Sequence, residues 1–292
     1  PCLQGLYVAF TSIQGGYESA NDSIDLLDQT LEINENLNNS ARSLEKIERL
    51  ELQSIDFNYH TAKELSLRNI SLAINKGETI GIIGSTGSGK STLVDLIMGL
   101  LKPSDGRYLI NGIETPFEQM NNLQEFISHV PQQVFIADTS IKKNIALGFE
   151  ECEIDENRVL EATKKSQLLG FIDSLESGLD SVVGENGSKL SGGQRQRLGI
   201  ARALYGGGSI LILDEATNAL DMKTEKNIVE IIKNLGGDII TIIVAHNLET
   251  IKHCDRVLIL ENGSLVGQGN YSEISQSQVF KEVAGELFDK EK

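Results

Sequence analysis

Gly84-Ser85-Thr86-Gly87-Ser88-Gly89-Lys90-Ser91-Thr92 is the stretch that decides the fold of this chain. It matches the phosphate-binding loop pattern G-x-x-x-x-G-K-[ST] at every fixed position. An apolar run at 79–83 precedes the loop, and residues 92–98 follow it at helical spacing. A strand, a glycine-rich loop and a helix in this order distinguish a nucleotide site from an ordinary Gly/Ser-rich turn. The stretch therefore predicts a loop that binds a nucleoside triphosphate.

Each residue type in this loop has a chemical reason to be there. Glycines let the backbone curl so that several N–H groups converge on one anion at a helix N-terminus. The Lys90 ammonium can then reach the β- and γ-phosphates, and the Ser91 hydroxyl can ligate Mg²⁺. The predicted nucleotide contacts are Gly84, Ser85, Thr86, Gly87, Ser88, Gly89, Lys90, Ser91 and Thr92.

Composition and charge narrow the class of protein further. The chain has 292 residues, of which 40% are hydrophobic, so it can hold one large domain or two small ones. A formal net charge of −16 argues against a nucleic-acid partner and against binding to an anionic membrane surface. Cys2, Cys152 and Cys254 form no C-x-x-C pair, which predicts neither a zinc site nor a disulfide framework. No run of about 18 apolar residues predicts a complete membrane span.

The first 48 residues differ in pattern from the rest. Apolar residues recur at alternating intervals of three and four over 1–31, which predicts one long amphipathic helix. Two interpretations of this helix stay open: a docking or coiled-coil helix, and the end of a last membrane helix. Residues 32–48 are polar and Asn-rich, and we expect them to link the helix to a domain at 49–292.

From residue 49 onward, the pattern predicts an α/β domain with two kinds of strand. Some segments alternate apolar and polar positions, as antiparallel strands do, and others are continuous apolar runs typical of buried parallel strands. Because helical segments separate the apolar runs, we expect a mainly parallel sheet covered on both faces. The alternating segments are 50–57 and 65–74, a short strand at 108–110 leads into the turn Asn111-Gly112, and the further apolar runs are 209–213, 238–245 and 256–260.

Helical patterns fill much of the remainder of the domain. Residues 140–188 are mostly helical in pattern, with apolar residues at helical spacing. The tail at 271–292 is predicted to be helical and solvated. No internal repeat is present in the sequence.

Two acidic residues, Asp214 and Glu215, end the apolar run at 209–213. Carboxyl ends of parallel strands meet at one edge of a sheet, which is where nucleotide-binding sheets hold their ligands. We therefore expect Asp214 to hold Mg²⁺, directly or through water. Glu215 is placed to act as the general base that activates the attacking water.

A second anion-binding surface is predicted at Leu190-Ser191-Gly192-Gly193-Gln194. Ser191 is a good N-cap for the apolar-periodic helix at 198–204, and the glycines expose further N–H groups at that end. An N-cap turn without a ligand is the other interpretation of the same residues.

Together these motifs resemble those of the ATP-binding-cassette (ABC) ATPases. The phosphate loop, the signature sequence at 190–194 and the Asp214-Glu215 strand occur in the order of that family, over about residues 49–265. The resemblance implies a P-loop NTPase fold with a mainly parallel sheet, an antiparallel β subdomain and a helical signature subdomain at about 136–205. It also implies that the domain binds ATP with Mg²⁺ and hydrolyses it.

The resemblance assigns roles to four further residues. Tyr59 matches the aromatic residue that stacks on adenine, although a tyrosine at a strand end can also lack that role. Gln132, followed by a second glutamine at 133, matches the glutamine that touches Mg²⁺ and senses the nucleotide. Asp221 matches the loop that crosses between two copies of the domain. His246 matches the switch histidine that contacts the γ-phosphate, with a core histidine as the alternative.

Partners are implied as well. In this family two domains pair head to tail, so the signature stretch, Ser191, Gly192, Gly193 and Gln194, of one copy would close over ATP held by Lys90 of the other. Stretches at 139–145 and 183–187 are similar to those of exporters, in which the ATPase follows the last membrane helix. We therefore expect the motor domain of an ABC exporter, paired with an identical ATPase domain and with transmembrane domains, at the cytoplasmic face of the membrane. The alternatives are a soluble non-transport ABC ATPase and an importer ATPase subunit.

Overall fold

The computed structural model describes residues 46–59, 65–214, 222–235, 237–245 and 247–288, together with scattered positions between 4 and 24. The chain divides into two compact units, Pro1–Leu44 and Glu45–Lys292. In the first unit, the described positions are helical, and they expose the side chains of Tyr7, Phe10, Tyr17 and Ile24. The extent of the predicted helix at 1–31 and the predicted linker lie mostly outside the described residues, and both stay predictions. No helix in the described part of the chain is long and apolar enough to cross a bilayer.

Two sheets organise the described residues of the second unit. The strands are β1 (Arg49–Phe57), β2 (Leu67–Asn75), β3 (Thr79–Ile83), β4 (Asp105–Ile110), β5 (Ile113–Thr115), β6 (Ile127–Val130), β7 (Ile210–Asp214), β8 (Ile240–Val244), β9 (Arg256–Glu261) and β10 (Ser264–Gly269). One sheet is antiparallel, in the order β2-β1-β4-β5. The other has the order β10-β9-β3-β8-β7-β6 and is parallel apart from the edge pair β10–β9. The predicted α/β fold with a mainly parallel sheet and an antiparallel sheet is confirmed.

Helices connect the strands. They are α1 (Lys90–Ile97), α2 (Asn121–Gln124), α3 (Ile141–Ile145), α4 (Glu156–Lys165), α5 (Leu169–Ile172), α6 (Gly192–Gly206), α7 (Met222–Leu235), α8 (Leu248–Ile251), α9 (Tyr271–Ile274) and α10 (Gln278–Phe288). The segment with the mostly helical pattern, 140–188, is a series of short helices interrupted by 3₁₀ turns.

The parallel strands are buried on both faces, as their continuous apolar runs predict. Every residue of β8 is buried, and β3 and β7 bury all but one terminal residue each. Full burial of an aliphatic side chain contributes roughly 1.5–3 kcal/mol to stability. This core fixes the ends of the strands, and the strand ends in turn position the candidate site.

A second hydrophobic core lies among α3, α4, α5 and α6, with buried members that run from Ile136 to Tyr205. Asn144 is fully buried beside it, and its Nδ2 donates to the carbonyl oxygens of Ala137 at 2.9 Å and Ser140 at 3.1 Å. Arg202 Nε of α6 donates to the Asn144 carbonyl oxygen at 2.8 Å. These bonds tie the loop that follows β6 to α6, because buried polar groups are costly to leave without partners.

The expectation of a solvated tail was wrong. The described part of the tail is helical at Tyr271–Ile274 and Gln278–Phe288, but Ile274, Phe280 and Val283 are buried in the core of the parallel sheet. The Tyr271 and Phe280 rings meet edge to face, with centroids 5.9 Å apart. Ile274 lies on α9, whereas Phe280 and Val283 lie about one turn apart on α10, so both helices bury apolar side chains against the core of the sheet.

Sequence analysis also missed β6 and β10, the two edge strands of the parallel sheet. β6 is four residues long and carries Ser128 and His129, and β10 contains Gly267 and Gly269. Edge strands need less apolar continuity than central ones, so their sequences give a weak signal.

Candidate nucleotide-binding site

The loop at 84–89 connects β3 to α1 and has a conformation that only glycines permit. Gly87 and Gly89 have φ values of 81° and 103°, which side-chain-bearing residues rarely adopt. A Cβ on Gly84 would lie 2.3 Å from the carbonyl oxygen of Leu260 and 2.4 Å from Ser88 Oγ. The N-cap of α1 is Gly89, so the first N–H groups of the helix have no intrahelical acceptor and are available to an anion.

Lys90 adds a cation to these N–H groups. Its Nζ donates to the carbonyl oxygens of Gly84 at 2.8 Å and Ser85 at 3.0 Å, and the residue is only 7% exposed. The ammonium is thus held over the loop, in a chain whose net charge is −16. A buried ammonium beside converging N–H groups is a donor set that fits a triphosphate.

A cleft of about 650 Å³ lies beside the loop. The predicted residues that line it are Tyr59, Thr86, Gly87, Gly89, Lys90, Ser91 and Thr92. Tyr59 is 41% exposed, its hydroxyl lies 3.2 Å from Thr92 Oγ1, and its ring packs edge to face on Phe57 at 4.8 Å. A ring that is anchored in this way offers a flat face to a planar base.

A second group of residues that line the cleft was not predicted. It consists of Leu65, Ser66, Arg68, Asn262 and Gly263. Asn262 and Gly263 both have positive φ and form the turn between β9 and β10. Gly263 N donates to the Ser88 carbonyl oxygen at 3.0 Å, and Arg68 N donates to the Gly263 carbonyl oxygen at 2.8 Å, so this turn braces the loop. The Asn-Gly pair between two apolar runs is a hairpin signal that could have located the turn.

We expect Gly84→Ala to damage both the fold and the site. The added methyl group must displace the Leu260 carbonyl or the Ser88 side chain, so the free energy of unfolding should fall by roughly 1–3 kcal/mol. Urea unfolding and calorimetric ATP titration measure the two effects. Gly170→Ala is the matched control, because a Cβ there meets nothing within 4 Å. Equal stability and ATP affinity in both variants would contradict the prediction.

Three residues predicted to hold Mg²⁺ follow elements that end or begin at the carboxyl edge of the parallel sheet. In the strand register, Leu213 lies opposite Val130, and Asp214 lies opposite Val244. Asp214 therefore ends β7 next to the segment that carries Gln132 after β6. Ser91, in the first turn of α1, is exposed at the loop. Carboxylate, carboxamide and hydroxyl oxygens are ligand types that suit Mg²⁺.

Two titratable groups lie near this edge. Desolvation lowers the pKa of His129 on β6, whereas the negative charges of Asp214 and Asp95 act in the opposite direction. Burial raises the pKa of Asp95 on α1, and the charge of His129 opposes that change. The imidazole is therefore mostly neutral at pH 7.

The signature stretch begins α6, as predicted for an N-cap at Ser191. Ser191 Oγ accepts a hydrogen bond from Gln194 N at 3.3 Å, and Gln194 Oε1 accepts one from Ser191 N at 2.7 Å. This reciprocal pair is a capping box. The Gln194 carboxamide, predicted to be a nucleotide contact, is thus engaged in the cap. Ser191 itself is exposed.

The structure does not bring all predicted site residues into one cleft. In the part of the chain that is described, Ser191–Gln194, Gln132 and Asp214 do not line the cleft beside the phosphate loop. Glu215, Asp221 and His246 lie outside the described residues, so their roles stay predictions. Glu215 directly follows the last residue of β7, and His246 comes two residues after the last residue of β8.

Fold and loop together define the class of this protein. It is a P-loop nucleoside-triphosphate-binding protein, because a parallel sheet ends in a glycine-rich loop that leads into a helix.

Known proteins narrow this class. The sequence profile of the ABC transporter family matches residues 67–218, and the chain belongs to that family. It is 39% identical over 263 residues to the ATP-dependent lipid A-core flippase of Hahella chejuensis, which covers 90% of this chain and 44% of that protein. It is 37% identical over 277 residues to the heterocyst differentiation ATP-binding protein HepA of Nostoc sp., with 94% and 44% covered.

A solved structure gives the same result for the fold. A bacterial Atm1-family ABC exporter with ATP bound matches with a TM-score of 0.75 at 32% identity, covering 85% of this chain and 43% of that chain. The chain thus spans less than half the length of these relatives.

Proposed function

We propose that this chain is the ATPase motor of an ABC exporter, which binds and hydrolyses ATP at the interface of a head-to-tail dimer. The observation that carries the proposal is that the turn at the start of α6 lies apart from the phosphate loop. The cleft at Lys90 is lined by one set of residues, and the capped turn at Ser191 lies outside it. A second copy that presents its Ser191 turn to the cleft would complete the site, and ATP would become part of the interface.

Within such a site, each group has a defined task. Lys90 and the N–H groups of α1 hold the phosphates, and Tyr59 stacks on adenine. Ser91, Gln132 and Asp214 would hold Mg²⁺, which when bound neutralises charge on the β- and γ-phosphates. The turn at Asn262 and Gly263 keeps the loop in place.

The remaining roles fall on residues assigned from the sequence. Glu215 accepts a proton from the attacking water while the water oxygen bonds to the γ-phosphorus and the bond to ADP breaks. His246 contacts the γ-phosphate, and Asp221 belongs to the loop that crosses the interface. In the partner copy, the α6 dipole and the N–H groups at Gly192 and Gly193 stabilise the developing negative charge.

Similarity to a lipid A-core flippase and to an Atm1-family exporter favours an exporter over the alternatives. We therefore propose transmembrane domains as partners, a place at the cytoplasmic face of the membrane, and no nucleic-acid partner. A soluble ABC ATPase or an importer subunit are the other candidates. The reading frame upstream of Pro1 distinguishes them: five or six apolar spans would support an exporter, and their absence there would contradict it.

Complementation tests the dimer. We call the phosphate loop, the Lys90 ammonium and the first N–H groups of α1 the cradle. Lys90→Ala removes the cation of the cradle but leaves the Ser191 turn intact. Ser191→Arg blocks the turn but leaves the cradle intact. Each variant alone should be nearly inactive. Their mixture should regain activity, because a mixed dimer contains one intact site made from both chains. Random pairing should give about a quarter of the wild-type rate of phosphate release.

The Lys90→Ala, Ser191→Arg double variant, mixed with an equal amount of an inactive single variant, is the control. No mixed dimer in that sample has an intact site, so its activity should stay at the background level. Failure of the two single variants to complement each other, although both are folded, would contradict a shared site.

A further inference from the structure

The helix that begins with the signature stretch, α6, lies along the segment that carries Gln132. One face of α6 makes three contacts with residues 128–134, and we call this contact the seam. On the helix, the seam involves Gln196, Gly199 and Ala203. Gln196 Nε2 donates to the Gln132 carbonyl oxygen at 2.8 Å. Ser128 Oγ donates to the Ala203 carbonyl oxygen at 2.9 Å. Because the three helix positions recur at intervals of three and four, they lie on the same face.

Gly199 makes the seam tight. A Cβ at this position would lie 2.7 Å from Val134 Cγ2 and 3.3 Å from Val130 Cγ1. The helix backbone therefore packs directly on these valines, with no side chain between them. Such a close contact leaves little room for α6 to slide past residues 130–134.

Gln196 is the polar member of the seam. The residue is 7% exposed, and its Oε1 is buried with no hydrogen-bond partner among the described residues. The Gln132 carbonyl can only accept, so the NH₂ of the Gln196 carboxamide must face it. A buried acceptor without a partner is costly, and it can take up a donor when the neighbouring segment shifts.

The neighbouring arginines bind elsewhere. Arg195 donates to the Leu190 carbonyl oxygen at 2.7 Å, and Arg197 donates to the Gln167 carbonyl oxygen at 2.9 Å. Leu190 belongs to the second core, and Gln167 directly precedes its member Leu168. Of these three consecutive polar residues, Gln196 is therefore the one bonded to the segment that follows β6.

We infer that Gln196 is a positioning residue that couples Gln132 to the signature stretch of the same chain. It fixes the Gln132 backbone, and so the placement of the side chain proposed to face Mg²⁺. Because a helix moves as a unit, a shift of Gln132 on nucleotide binding is passed through Gln196 to the N-cap residue of the helix, Ser191. This inference rests on the proposed function for the ligand, ATP with Mg²⁺, and for the role of the Gln132 side chain.

The test compares Gln196→Leu, which keeps the volume but removes the donor, with the wild-type chain. Amide hydrogen exchange in residues 130–135, measured without nucleotide, should become at least about threefold faster. Affinity for ATP with Mg²⁺ should fall about fivefold, the effect of one lost hydrogen bond. Affinity for ATP in EDTA should stay within about twofold, because the cradle is untouched.

Gln124→Leu is the matched control, since Gln124 Nε2 also donates to a backbone carbonyl, that of Gly99 at 3.3 Å, away from the seam. It should alter neither exchange at 130–135 nor the Mg²⁺-dependent part of the affinity. If Gln196→Leu does not fold, Gln196→Met replaces it. Wild-type exchange at 130–135 in a folded Gln196 variant would overturn the inference, as would equal losses of affinity with and without Mg²⁺. Absence of ATP binding by the wild-type chain would instead contradict the proposed function.

Discussion

Replacing Glu215 by glutamine is expected to slow ATP hydrolysis by about 10²- to 10⁴-fold while ATP binding is retained. Glutamine has the shape of glutamate but cannot accept the proton of the attacking water. The cradle at Lys90 and the Ser191 turn are unchanged by this substitution. ATP should therefore stay bound between two chains, and the dimer should accumulate.

Two measurements check this result. Single-turnover phosphate release gives the rate of the chemical step, and size-exclusion chromatography with Mg-ATP gives the fraction of dimer. Glu161→Gln is the control, because Glu161 lies on the exposed side of α4. Hydrolysis at the wild-type rate would remove Glu215 from the role of base. A variant that stays monomeric with bound Mg-ATP would argue against a nucleotide site that is shared by two chains.

Lys90→Ala is expected to lower ATP affinity by about 10²-fold or more. A charge-assisted hydrogen bond contributes roughly 1.5–3 kcal/mol, and Lys90 is placed to make such bonds with two phosphates. Its ammonium also holds the Gly84 and Ser85 carbonyl oxygens, so its loss should loosen the loop. Both effects act against binding.

Isothermal calorimetry with ATP measures this loss, and thermal unfolding confirms that the variant is folded. Lys164→Ala serves as the control, because Lys164 is exposed in the last turn of α4. An unchanged dissociation constant for Lys90→Ala would refute the assignment of the cradle. The two substitutions thus separate binding from chemistry. Lys90→Ala should weaken the complex with ATP, whereas Glu215→Gln should let the complex accumulate because hydrolysis is slow.

Much of the fold could be predicted from the sequence, because its strongest signals are local. The phosphate loop requires glycines at fixed positions, and the positive φ of Gly87 and Gly89 is the reason. The central parallel strands are continuous apolar runs because both of their faces are buried. Ser191 and Gln194 form a capping box within a single turn, so the beginning of α6 could also be located.

Only the tertiary structure decided which distant segments meet. The pairing of β6 with β7 sets Val130 opposite Leu213, one residue before Asp214, and the β9–β10 turn braces Ser88, although neither contact follows from local periodicity. The bond from Gln196 to Gln132 joins residues 64 positions apart. Local propensity determines where a helix or strand forms and which of its faces is buried. Close packing of side chains determines which distant helices and strands lie next to each other. The sequence alone therefore determined that this protein has a phosphate loop for a nucleoside triphosphate. The packing of its two cores determined how the Lys90 loop and the Ser191 turn are held.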